Sequence, residues 1–432
     1  MAQQEKKRQF AVDVVRRLKD AGFTALWAGG CVRDFLLGRT PKDYDVATDA
    51  RPDDVRNLFG HRRTLAVGAS FGVIIVRAPR GVEDVEVATF RTEGPYLDGR
   101  RPEHVAFTTP EEDAQRRDFT INGLFYDPIE QDVFDFVDGE RDLRAGIVRA
   151  IGDPHDRMTE DKLRMLRAVR FAATLKFELD AVTADAVRNM AAQMLVVSAE
   201  RISQELRRML VDRQRMRAMR LTAEVGLLHV ILPEVSPSNE ELDSPHWIRT
   251  LQMLDRLEEP SFELAMAALL HAVRAEGHAA DMPAATQIVH AICRRLKLSN
   301  QETDDTCWLF EHQQTLSDAS GLSTATLKRL MSQRLITDLI ALYRVDTLVR
   351  AADLTAVVFC EEYLKSTPRE KIDPPPLLTG DILIAHGFHP GPRFKTILHT
   401  VRDAQLNGEI TTAGEALQLA RKLTRKLTDD DS

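Results

Sequence analysis

A change of texture near Pro154 constrains this chain more than any other feature of it. Before Pro154 lie five short runs with strand character, at 25–28, 44–48, 72–76, 82–88 and 133–137. After it, apolar residues recur at helical spacing almost to the end. Few helices separate the strands, so 23–150 reads as a small mixed α+β domain with a five-stranded sheet. One helix over 5–21 leads into it, on the spacing of Phe10, Val14, Val15 and Leu18. The helical part is expected over 161–171, 181–194, 199–211, 247–257, 262–274, 284–296 and 335–365. Pro233, Pro237 and Pro245 interrupt it, and the proline-rich link at 372–376 sets off a last small unit at 377–427. A single core rarely grows past about 250–300 residues. The chain has 432, so four parts are expected: a head at 1–150, a helical neck at 151–225, a helical body at 226–370 and a tail at 371–432.

Composition removes several classes. The chain is 44% hydrophobic and 29% charged, the balance of a globular protein rather than a disordered one. It holds no apolar run of about 18 residues, the length a membrane-spanning helix needs. The start MAQQEKKRQF lacks the apolar stretch of a secretory signal. Cys31, Cys293, Cys307 and Cys360 form no CxxC pair, so neither a disulfide framework nor a zinc finger is expected, and a cytoplasmic location fits. The net charge of −8 argues against nucleic acid, but residues 141–220 carry 17 Lys and Arg against 11 Asp and Glu. A basic stretch inside an acidic chain marks a local polyanion surface.

The first chemical constellation is Gly29-Gly30-Cys31-Val32-Arg33-Asp34, followed by Asp43-Tyr44-Asp45. Two glycines at the end of a strand let backbone N–H groups reach an anion, and Arg33 could grip phosphate oxygens in a fork. In a strand, residues i and i+2 share a face, so Asp43 and Asp45 should point the same way. Paired carboxylates that leave coordination positions open suit Mg²⁺ bridging to substrate phosphates. Each half alone is commonplace, as a tight turn or a solvated strand edge. Their conjunction is what carries meaning. Glu86, opposed to Val85 and Val87 in an alternating strand, is the candidate third carboxylate, with Glu83 and Asp84 as competitors.

Two further segments add cations. Arg116-Arg117-Asp118-Phe119-Thr120-Ile121-Asn122 crowds groups that polyphosphate and ribose recognition need, although a charged helix start capped by Asp118 would read the same. Asp161, Arg164, Arg167 and Arg170 recur at spacing three, so they are expected as one polar stripe on a helix. An Asp and an Arg can offer acceptor and donors to a base edge, while further arginines suit phosphates. Arg201 and Glu205 are expected to form a structural i,i+4 pair.

The order GGCVRD, DYD, VEVATF, RRDFTINGL, EDKLR and ERISQEL resembles the class II tRNA nucleotidyltransferases and bacterial poly(A) polymerases. The resemblance is strong over 23–225 and resumes weakly at 377–427. It implies a polymerase-beta-like nucleotidyltransferase head followed by helical neck, body and tail. It implies metal binding by Asp43 and Asp45, with Glu86 as third catalytic carboxylate and Mg²⁺ as cofactor. Gly29, Gly30, Arg33 and Arg117 match the nucleotide and its phosphates, Asp118 and Asn122 its ribose side. Asp161 and Arg164 match a protein template for the incoming base, and Arg167 and Arg170 match further nucleotide-site arginines. The implied substrates are CTP, ATP and tRNA, bound at acceptor stem and elbow. The implied reaction is addition of C, C and A, with A-addition or poly(A) synthesis as alternatives. Residues 89–102 look like the flexible loop of CCA- and A-adding members. Leu269-Leu270-His271-Ala272 has Ala where related HD metal sites carry Asp, so no such site is expected in the body.

Overall fold

The computed structural model describes residues 2–68, 71–93, 105–238, 241–274, 282–391 and 393–429. They fall into two compact units, Met1–Trp247 with Arg295–Lys297, and Ile248–Arg294 with Leu298–Ser432. The first contains both the head and the neck expected from sequence.

The first unit opens with helix α1 (Ala2–Asp20), strand β1 (Ala25–Ala28), helix α2 (Gly30–Leu36) and strand β2 (Asp45–Thr48). Helix α3 (Pro52–Phe59) begins on a proline, whose missing N–H costs nothing in a first turn. Strands β3 (Thr64–Gly68), β4 (Val73–Val76) and β5 (Val85–Thr89) follow, then a small ribbon of β6 (Arg91–Glu93) and β7 (Val105–Phe107). Helix α4 (Pro110–Gln115), β8 (Phe125–Asp127), β9 (Asp132–Phe134), α5 (Gly139–Ala145) and β10 (Ile147–Val148) complete the head. Among the described residues the main sheet has seven strands in the order β3-β4-β5-β2-β1-β8-β9, with β2 and β5 parallel and the other neighbours antiparallel. The five expected strands are all present, and β3 and β8 are additions. β3 lies at an edge with Val67 78% exposed, so it lacks an apolar face to read; β8 is three residues long.

Leu26, Ala28, Ala47, Phe90, Ala114 and Phe125 form one core cluster of the head. Trp27 is fully buried and packs against Tyr44 and Tyr126, with ring centroids 4.7 and 5.7 Å away.

The first unit continues with α6 (Pro154–Glu160), α7 (Arg164–Leu175), β11 (Glu178–Leu179), α8 (Ala181–Met190), α9 (Ala199–Leu210), α10 (Arg215–Glu224) and α11 (Leu227–Ile231). Asp153 caps α6 by accepting from the N–H groups of His155 and Asp156. Met165, Leu166, Ala168, Val169, Ala172 and Ala173 give α7 its buried face. It ends at left-handed Lys176, where the N–H groups of Lys176 and Phe177 donate to Ala173 O and Ala172 O, a Schellman closure. The expected helix start at Asp161 is corrected. Asp161 is extended (φ −141°, ψ 104°) and its Oδ1 accepts from Leu163 N–H. An Asp side chain that satisfies the backbone two residues on competes with the helix, so α6 and α7 are separate. Asp161 therefore does not share a helical stripe with Arg164, Arg167 and Arg170.

The second unit is helical among its described residues. The run expected over 335–365 is two helices, Ile336–Val349 and Thr355–Ser366, and Asn300–His312 and Thr324–Met331 were not anticipated. His271 is buried, its Nδ1 2.8 Å from Ala268 O. Near the C-terminus Leu378, Leu383, Ile397, Val401, Ala416 and Ala420 make a core of their own.

Candidate active site

A cleft of about 560 Å³ in the first unit brings together four of the segments singled out above: Gly29, Gly30 and Arg33; Asp43 and Asp45; Arg117, Asp118 and Asn122; Asp161, Arg164 and Arg167. Arg116 and Phe171 line it as well. Glu86 and Arg170 do not.

Gly29 sits at φ 72°, where L side chains are strained, and a Cβ there would lie 2.9 Å from Arg117 Nη1. The glycine is thus needed twice, for the backbone turn and for the close passage of the guanidinium. Asp43 precedes β2 rather than lying in it, so the two aspartates share the cleft through the bend into the strand and not through strand alternation.

Glu86 in β5 is the direct register partner of Asp45 across the parallel β2–β5 pair, so both side chains leave the sheet on one face. Val85 and Val87 are buried on the other. The competitors are engaged elsewhere: Glu83 pairs with Lys7, and Asp84 accepts from Ala78 N–H at 2.9 Å. Desolvation, then the neighbouring Asp43 and Glu86 carboxylates, pushes Asp45 up to about 7, with Arg117 pulling the other way. Three crowded hard-oxygen carboxylates, one of them reluctant to ionise, are a donor set that a divalent cation would relieve. Among the described residues no group of three His, Cys, Asp or Glu side chains is arranged to hold a metal by itself. An ion here needs ligands from water or substrate as well.

The opposite wall is a chain of buried polar contacts. Arg33 Nη1 donates to Asn122 Oδ1 at 2.7 Å, and Asn122 Nδ2 donates to Asp118 Oδ1 at 3.0 Å. Arg167 donates to Asp118 Oδ2 through Nε at 2.9 Å and Nη2 at 2.5 Å. Burial alone would raise the Asp118 carboxyl. Arg167 and the Asn122 amide overcome it and hold it at about 2, so Asp118 is an anion throughout the physiological range. Phe171 lies beneath the guanidinium groups of Arg33 and Arg167, 5.1 and 5.3 Å from its ring centre. Asp113, 1% exposed, holds both Arg116 (2.7 Å) and Arg117 (2.9 Å). The i,i+3 and i,i+4 spacing of Asp113 to these arginines was the available sequence signal for it.

At the neck side, Arg164 Nη1 donates to Arg157 O at 2.9 Å and pairs with Glu160, and Nη2 reaches Arg116 O at 3.3 Å. Arg201 from α9 grips Asp161 with both nitrogens, Nη1 to Oδ1 at 3.1 Å and Nη2 to Oδ2 at 2.7 Å. Glu205 accepts from Arg170 at 2.5 Å and Arg208 at 2.8 Å. The expected Arg201–Glu205 pair is therefore replaced by two longer-range pairs. Arg170 stacks on Phe171 at 4.1 Å and acts from behind the cleft. The expected loop at 89–102 is described only to residue 93; the rest lies outside the described residues.

Comparison with known proteins agrees with this geometry. Residues 25–149 match the family described as the poly A polymerase head domain, and 176–238 match a probable RNA and SrmB-binding site of polymerase A. A CCA-adding enzyme of Lactobacillus helveticus is 30% identical over 94% of this chain and 95% of its own length. Poly(A) polymerase I of Haemophilus influenzae is 37% identical, but the match spans only 52% of each chain. The crystal structure of the Bacillus stearothermophilus CCA-adding enzyme in complex with CTP superposes with a TM-score of 0.77 at 27% identity, covering 98% of both chains.

Proposed function

Since this chain belongs to the family of CCA-adding enzymes and bacterial poly(A) polymerases, we propose that it adds C, C and A to the 3′ end of tRNA from CTP and ATP. The observation that carries this reading is the 30% identity to a CCA-adding enzyme along nearly the whole of both chains. The poly(A) polymerase relative matches over about half of its length.

The 3′ hydroxyl of tRNA attacks the α-phosphorus of the bound nucleotide, and pyrophosphate leaves. Asp43 and Asp45 would hold Mg²⁺, with Glu86 across the strand pair as the third carboxylate. When bound, the ion polarises phosphoryl oxygens and eases ionisation of the attacking hydroxyl. The Gly29-Gly30 turn admits the triphosphate close to the backbone, and Arg33 and Arg117 bind its oxygens. Asp118 and Asn122 face the ribose, with Arg167 beside them. Asp161 offers acceptors and Arg164 donors to the base edge. Because Asp161 and Arg164 are held by protein partners in a fixed orientation, a base whose donors and acceptors do not match theirs would be bound less well, which discriminates between bases. Arg201 and Glu160 hold the two readers in place. The basic neck and the helical parts after it, which we keep as neck, body and tail, would contact acceptor stem and elbow by shape and phosphate.

Asp43→Ala tests the assignment. It should abolish CMP incorporation while tRNA binding persists; normal turnover in that variant would contradict it.

A further inference from the structure

The segment carrying the two aspartates faces two ways. Asp43 and Asp45 line the catalytic cleft, whereas Lys42 and Tyr44 line a separate pocket of about 670 Å³. Helix α2 and its exit divide likewise: Gly30 and Arg33 go to the cleft, Phe35 and Arg39 to this second pocket. Helix α1 closes it with Gln4, Glu5 and Arg8.

The lining has the parts a nucleotide needs. Phe35, half-buried, leaves part of its ring open, and it packs against Tyr126 at 4.8 Å and Trp27 at 6.1 Å. Tyr44, only 6% exposed, packs tilted against the same Trp27 at 4.7 Å. The Phe35 ring is therefore rigidly backed by Trp27, Tyr44 and Tyr126, which suits stacking of a base on it. The Gln4 amide oxygen is buried and has no hydrogen-bond partner, so a small movement of this lining side chain would offer it as an acceptor. Arg8, Arg39 and Lys42 are exposed at the rim. Arg8 reaches Glu5 only at 3.6 Å, and the side chains of Arg39 and Lys42 enter no ion pair among the described residues. Three cations against one carboxylate attract a phosphate, and the volume lies within the range of small-ligand pockets, about 300–1,000 Å³.

We propose that this pocket, behind the aspartate-bearing segment, is a second binding site for a nucleotide, its base on Phe35 and its phosphate on Arg8, Arg39 and Lys42. The occupant is either a free nucleoside triphosphate or a nucleotide of the RNA substrate; the chemistry of recognition is the same. The site does not depend on which nucleotides the cleft adds, so failure of the CCA assignment leaves it standing.

Two probes on the full chain test it, with Arg8→Ala/Arg39→Ala as the variant. Calorimetric titration with α,β-methylene-ATP, without RNA, measures stoichiometry. Filter binding of a tRNA transcript across a salt series measures RNA affinity. A free nucleotide as occupant gives two equivalents for the unaltered chain and one for the variant. An RNA nucleotide as occupant gives one equivalent for both, with tRNA bound about tenfold more weakly by the variant and a salt slope smaller by about 2. Arg8→Lys/Arg39→Lys keeps the charges and should restore whichever effect is seen. One equivalent together with unchanged tRNA affinity in the variant would overturn the proposal, as would a deficit that the lysines fail to restore.

Discussion

At the scale of single residues, the buried polar wall of the cleft is tied to protein partners before any substrate arrives. Asp118 shows the energetic consequence. Its carboxyl is held at about 2 in the folded chain against 3.8 as the reference. A depressed acid contributes stability above its unfolded pKa and loses it as pH falls through the folded value. About 2 kcal/mol of stability should therefore disappear between roughly pH 4 and pH 2, and Asp118→Asn should flatten that part of the urea-unfolding profile. Asp45 has the opposite sign, because its carboxyl is pushed up to about 7. Below that pH its proton must leave before a cation can bind, so Mn²⁺ affinity should rise about tenfold per pH unit up to 7 and then level off. A flat profile in calorimetry would contradict the crowding of Asp43, Asp45 and Glu86. Gly29→Ala should raise the KM for CTP, since the new methyl would displace Arg117.

At the scale of elements, much of the head could be read in the chain. The apolar runs at β1, β2, β4 and β5 announce strands because each has a face to bury, and β9 is marked by the apolar run 133–137. The exposed edge strand β3 has no such signature and β8, though buried, is only three residues long, so the sheet is wider than its pattern suggests. The site motifs were legible for a similar reason: GGCVRD, DYD and RRDFTIN are each local. Their supports were not. Arg201 reaches Asp161 across 40 residues, Arg167 reaches Asp118 across 49, and Arg170 reaches Glu205 across 35. Such pairs depend on how α7 packs against α9 and against the segment around Asp118, which spacing along one helix cannot reveal. Helix α9 is thus expected to set fidelity. Arg201→Ala would free the Asp161 carboxylate and should lower the preference for CTP over UTP by about tenfold or more, with Arg201→Lys recovering part of it. An unchanged preference in single-turnover incorporation would remove Asp161 from base selection.

At the scale of the whole molecule, the central claim is that one cleft adds C twice and A once and then stops. The head and neck alone do not distinguish this from unlimited A-addition, because the poly(A) polymerase relative matches over about half of its length. The match to a CCA-adding enzyme runs along 94% of this chain, which is why the helical remainder bears on the choice. No described helix is long and apolar enough to cross a membrane. The most direct measurement uses three tRNA transcripts, ending before CCA, after C and after CC. Each is incubated with the full chain, Mg²⁺ and single or mixed nucleotides, and the products are sized on a gel. The account predicts that all three converge on the same CCA end and extend no further. Extension of the CC-ending transcript alone, or a long ladder with ATP on any RNA, would contradict it.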